Sequence, residues 1–112
     1  MKIDEALVVQ EKNRLKALYK DIPQDKLKVV DGLITQAARL RVLLDVMWED
    51  IKENGDVEKF QQSASVEPYD RERPVAKLFN ARDGAYQKII KQLSDLLPKE
   101  KEDLSAPSDD YL

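Results

Sequence analysis

Six cations crowd one short stretch of this chain: Lys12, Arg14, Lys16, Lys20, Lys26 and Lys28. The only acids among them are Asp21 and Asp25, so the stretch is locally +4. Lys12, Lys16 and Lys20 recur at i, i+4 and i+8, which stacks them along one flank of a helix. Like charges at that spacing cost an isolated helix ~0.2–0.5 kcal/mol per pair. Lys26 and Lys28 fall where the next helix begins, the end at which the helix dipole disfavours cations. Both arrangements turn favourable when the partner is a phosphate backbone. The competing reading is an ordinary lysine-rich surface, and Tyr19 is the only aromatic residue there that could stack on a base. The two helices carrying these residues are too long, and their one connecting turn too simple, for a base-reading helix-turn-helix.

Other chemistry is argued against by residue type. With no Cys and no His, disulfides, Cys or His zinc sites, thiol catalysis and His-based triads are excluded. No Gly-rich phosphate loop occurs. Asp50 to Gln61 places Gly55 at the sixth position of a calcium loop, but Lys52 stands third and Gln61 twelfth, where a bidentate Glu is needed. Asp45, Glu49, Asp50 and Glu53 could hold a hard metal or move protons. Their helical spacing equally describes a solvated face. The expectation is a protein that is not an enzyme, with no cofactor and no metal.

The elements that must position these residues are helical. The chain of 112 residues is long enough for one domain. With 42% hydrophobic and 37% charged residues, the composition suits a soluble, surface-rich chain. The net charge of −3 gives no bulk basicity, so any nucleic-acid binding must come from a local patch. The longest uncharged runs are Gly32–Ala38 and Phe60–Val66. Both are far short of a membrane helix, which needs about 20 residues. The N-terminus carries no apolar signal region, which points to the cytoplasm. Ile3 to Ile22 contains no breaker and aligns Val8, Leu15, Leu18, Tyr19 and Ile22 on one face. A turn at Asp21–Asp25 leads into a long helix from about Gln24 to Asn54, closed by Asn54-Gly55. Asp56 to Arg73 reads as irregular, with Val57–Phe60 briefly extended. A third helix starts near Pro74 and stops at Pro98. Lys99 to Leu112 is acidic and reads as a disordered tail.

The two later helices carry matching seams. One is Leu27, Val30, Ile34, Ala37, Arg41, Leu44, Trp48 and Ile51; the other is Val75, Phe79, Arg82, Tyr86, Ile89, Leu93 and Leu96. Their short connection predicts an antiparallel helical hairpin. With Ile51 opposite Val75, Leu44 falls near Arg82 and Arg41 near Ala85. Asp45 and Asp83 then come within reach of Arg82 and Arg41. Either these pairs lock the register or the arginines extend out of a wide seam. Beside the first stripe runs a second, Leu33, Leu40, Leu43 and Met47, which the first helix could cover in part. A helix of ~30 residues is ~45 Å long, so contact with other copies of the chain is the simpler expectation.

Two stretches resemble a known family. Leu33-Ile34-Thr35-Gln36-Ala37-Ala38 leads through Trp48-Glu49-Asp50-Ile51-Lys52-Glu53-Asn54-Gly55. Arg73-Pro74-Val75-Ala76-Lys77-Leu78-Phe79-Asn80 leads through Gln92-Leu93-Ser94-Asp95-Leu96-Leu97-Pro98. A long helix ending in E-N-G, a polar loop, then P-x-x-x-x-[YF]-N and Q-L-x-x-L-L-P resembles the short, helical type of phage terminase small subunit, over roughly Leu27 to Pro98. The resemblance implies an oligomeric, ring-forming, non-enzymatic DNA-packaging component in the cytoplasm of a bacterial host. It implies double-stranded viral DNA and the terminase large subunit (ATPase and nuclease) as partners. The organisation expected is a basic helix over residues 1–22, a helical-hairpin oligomerisation core over 23–98 and an acidic tail over 99–112, the last a candidate contact for the large subunit. A helical-hairpin protein-interaction module without DNA binding is the alternative.

Overall fold

The computed structural model describes residues 2–98. Helix α1 spans Glu5–Leu18, α2 spans Leu27–Asn54 and α3 spans Pro74–Asp95, with strands β1 (Val57–Phe60) and β2 (Tyr69–Glu72) between the last two. The expected all-α fold is present, with a long central helix packed against both others and a small β-hairpin added. No described helix is long and apolar enough to cross a membrane.

Each boundary has a local cause. Asp4 caps α1, its carboxylate accepting from the Ala6 amide at 2.9 Å, which satisfies one of the unpaired amides of the first turn. Pro23 follows the end of α1, and a single 3₁₀ turn over Gln24–Lys26 leads into α2. Gly55 stops α2 with φ at +84, a left-handed angle that disfavours a side chain. Its amide reaches the Ile51 carbonyl at 2.7 Å, so the last turn closes on itself. Pro74 opens α3, where its missing N–H costs nothing.

The central helix has 28 residues, about 42 Å at ~1.5 Å per residue. It buries Val30, Ile34, Ala37, Ala38, Val42, Leu44 and Met47, an arc too broad for one neighbour. Helix α1 covers it with Val8 and Leu15, and α3 covers it with Tyr86 and Leu93. Both flanking helices run antiparallel to α2. Tyr19 Oη and Ser94 Oγ, 3.2 Å apart, tie the two together where α1 ends. The molecule is a rod of 65 × 37 × 20 Å with a radius of gyration of 19.5 Å. A compact chain of ~100 residues would have a radius of gyration of ~13 Å.

The α2–α3 register is close to the expected one, a single residue further along. Arg41 lies over the Tyr86 ring at 5.1 Å, and Trp48 meets Phe79 at 6.1 Å between ring centroids. Arg41 finds its carboxylate on its own helix, Asp45 at 2.9 Å, rather than Asp83. Register is therefore set by apolar contact and by ring stacking, not by crossed ion pairs. Two seam positions sit differently from expectation. Leu27 and Trp48 are 47% and 50% exposed. Trp48 stays half-exposed although its ring meets Phe79 across the α2–α3 seam.

The segment expected to be irregular contains an antiparallel hairpin, Val57 opposite Glu72 through Phe60 opposite Tyr69. The extended reading of Val57–Phe60 holds, and β2 is the element that sequence patterning hides. Its four residues are all exposed, so no apolar alternation marks it. Cross-strand pairs hold it instead. Lys59 meets Asp70 at 2.8 Å, and Arg71 meets Glu58 at 2.8 Å. Arg71 also lies 3.7 Å over Phe60, which meets Tyr69 edge-on.

Arg73 clasps the base of this hairpin to α2. It donates to the Gly55 carbonyl at 2.7 Å and to Asp50 at 2.9 Å. Asn54 also donates to Asp50, and these hydrogen bonds, Asn54 first and then Arg73, hold its carboxyl below its ordinary value. A depressed folded-state pKa gives stability that is present at neutral pH and lost as pH falls through the carboxylate range.

Two outcomes follow. Leu93 is fully buried and Val29 is 65% exposed. Leu93→Ala should lower the unfolding free energy in urea titrations by ~2–5 kcal/mol, while Val29→Ala should change it by less than ~0.5 kcal/mol. Asp50→Asn should be less stable than the parent at neutral pH, and that gap should close as pH is lowered through and below the ordinary carboxylate range. A gap that stays constant across that range would contradict the clasp.

Candidate nucleic-acid interface

Because α1 turns back onto α2, the basic stretch is folded into one end of the rod. Lys16, Tyr19 and Lys20 from α1 and its end face Leu27, Val30, Asp31 and Ile34 from α2 across an open groove of about 350 Å³. Lys16 and Lys20 are exposed and Lys12 is half-buried one turn away. Lys26 is the N-cap residue of α2 and makes no side-chain cap; Lys28 is exposed in the first turn. Among the described residues, none of these five lysines forms an ion pair. That is the state from which counterion release makes phosphate binding favourable.

Arg14 is separated from them. It points to the other side of α1, into a second groove lined by Leu7, Glu11, Arg41, Val42 and Asp45 among others. Glu11 takes it in two hydrogen bonds, 2.8 and 2.6 Å, which raise its pKa above the ordinary arginine range. The reason is helical geometry: residues two apart lie ~200° apart around the axis. A charge count along the sequence cannot see that separation.

The other end of the rod carries the opposite sign. Between residues 42 and 73, nine acidic side chains face four basic ones. Here the charges are largely paired: Glu49 with Lys52, Asp50 with Arg73, Glu58 with Arg71 and Asp70 with Lys59. Asp45, Glu49, Asp50 and Glu53, weighed as metal ligands or proton carriers, do not converge. Among the described residues no group of three or more Asp or Glu side chains could hold a metal ion. Asp45 and Glu49 neutralise their own helix neighbours Arg41 and Lys52.

The second apolar stripe of α2 is occupied by the chain itself. Met47 is 1% exposed within a single chain, and Leu33 and Leu40 are half-buried against the core. Leu43 is half-buried as well. The open apolar side chains lie elsewhere, at Leu7, Val9, Leu18, Leu27 and Val29 on and near α1, and at Trp48 and Leu78 towards the acidic end. Sequence patterning places Leu18, Leu27 and Trp48 on covered faces, where the structure leaves them open, and does not single out Leu7, Val9, Val29 or Leu78. Their signal is visible only once the covered faces are known.

Compared with protein-family models, curated proteins and solved structures, the chain matches none of them.

The arrangement separates two cations that the sequence placed together. Lys16→Gln should lower the slope of log affinity for duplex DNA against log salt by about one unit, while Arg14→Gln should leave it unchanged. Equal effects of the two in a fluorescence anisotropy salt series would mean that both grooves touch phosphate.

Proposed function

We propose that this protein is an oligomeric, non-enzymatic DNA-binding adaptor of the terminase small-subunit type, recruiting viral DNA to the packaging motor of a tailed phage or prophage in its bacterial host. The observation that carries the DNA reading is the set of unpaired lysines, Lys12, Lys16, Lys20, Lys26 and Lys28, gathered by two helices at one end of a long rod. The order of motifs from Leu33 to Pro98 supplies the family reading. Phosphate contacts of this kind position a duplex without reading its sequence. Several copies would multiply a modest patch into useful avidity.

Association between copies rests on the rod shape and its open apolar side chains. Met47, already buried within one chain, adds no surface to such a contact. Leu33, Leu40 and Leu43, each half-buried, would add only their remaining exposed edges to such a contact. Capture of the large subunit is assigned to residues 99–112, which lie outside the described residues. A second reading, a helical protein-interaction module without DNA binding, is favoured by the half-exposed Trp48 and Leu78.

Light scattering at micromolar concentration should give several subunits, and a duplex should bind with a steep salt dependence. Replacing Lys12, Lys16 and Lys20 by Gln should reduce the log–log slope by up to about three units per bound subunit. A monomer whose DNA binding ignores both salt and these substitutions would leave the interaction-module reading in place.

A further inference from the structure

The sequence beyond residue 98 is matched in chemistry to the groove beside which the described chain ends. Of the 22 acidic and 19 basic residues, five acidic and two basic fall in Lys99–Leu112, so residues 2–98 hold 17 of each and the whole −3 lies in the last stretch. Within that stretch acids precede apolar residues twice, in Glu102-Asp103-Leu104 and in Asp109-Asp110-Tyr111-Leu112. The end of α3 lies beside the basic groove. Ser94 is hydrogen-bonded to Tyr19, which lines that groove, and Leu96 and Leu97 pack onto the core. The groove offers lysines above an apolar floor: Lys16 and Lys20 beside Leu27, Val30 and Ile34.

We propose that Glu102-Asp103-Leu104 docks into this groove of its own chain, Leu104 on the Leu27–Val30 floor and the two carboxylates against Lys16 and Lys20. Leu104 is six residues past Pro98, and six residues of extended chain reach ~20 Å. A tether that short gives an effective concentration in the millimolar range, so a weak contact suffices. Asp31 also lines the groove and repels the incoming acids, which confines them to the lysine side. Occupied in this way, Lys16 and Lys20 are withheld from phosphate. Only that consequence rests on the DNA-binding reading; the docking itself does not.

The test uses the full chain. It contains no cysteine, so Ser105→Cys accepts a single nitroxide without competition. At low salt the label should broaden the amide resonances of Lys16, Tyr19, Lys20 and Leu27. That broadening should disappear in about 1 M salt, where the screening length falls to ~3 Å. It should also disappear when Glu102→Gln, Asp103→Asn and Leu104→Ser are combined, changes that leave residues 2–98 untouched. Broadening that is absent, centred elsewhere, or seen only between labelled and unlabelled copies would overturn the proposal. A short duplex should displace the segment and restore the signals. Broadening that persists beside a bound duplex would overturn the shared site, whereas a duplex that fails to bind would count against the DNA reading alone.

Discussion

Everything in this fold depends on how the central helix is covered. A 28-residue helix with apolar side chains around so broad an arc cannot be satisfied by one neighbour. Burying a Leu, Ile or Val side chain is worth ~1.5–3 kcal/mol, so two flanking helices gain far more than a simple hairpin would. Helix α1 covers one flank through Val8 and Leu15, and α3 covers the other through Tyr86 and Leu93. Because both must turn back sharply, the turn before α2 and the hairpin after it carry the strictest local geometry: Pro23 and the 3₁₀ turn at one end, Gly55 and the Arg73 clasp at the other.

That solution also sorts the charges. Folding α1 back brings Lys16 and Lys20 to the mouth of an apolar groove at the start of α2. Closing α2 onto the β-hairpin gathers the acids at the opposite end, where arginine and lysine partners pair with four of the nine. All four cations of that end are already in ion pairs, so it has little to offer an anionic ligand. The unpaired end is the one with electrostatic free energy left to release. Exposed ion pairs of this kind add only ~0–1 kcal/mol each to stability, so their larger effect here is on which surface stays available.

The three helices, their antiparallel hairpin and the near-correct seam register were legible because they rest on 3.6-residue periodicity and on Pro and Gly punctuation, which are properties of the chain itself. Strand β2 was not, because Tyr69-Asp70-Arg71-Glu72 shows no buried face; it pairs through partners on β1 that no local pattern announces. The lysine cluster was legible as a cluster. Its division follows from the same helical period, which sets Arg14 on the opposite side of α1 from Lys12 and Lys16, but a charge count along the chain passes over it.

By itself the sequence determined the element types, the absence of thiol and imidazole chemistry, and the local concentration of positive charge, all of which follow from residue identity and spacing. Only the tertiary structure decided which apolar stripe is covered and which lysines stay unpaired. Leu33, Leu40 and Met47 sit against the chain's own helices, while Trp48 stands half-exposed on the seam with α3. The physical reason is that burial and charge pairing belong to pairs of elements. The length of α1 and the angle at which it returns determine what remains open, and neither is written in the helix that it covers.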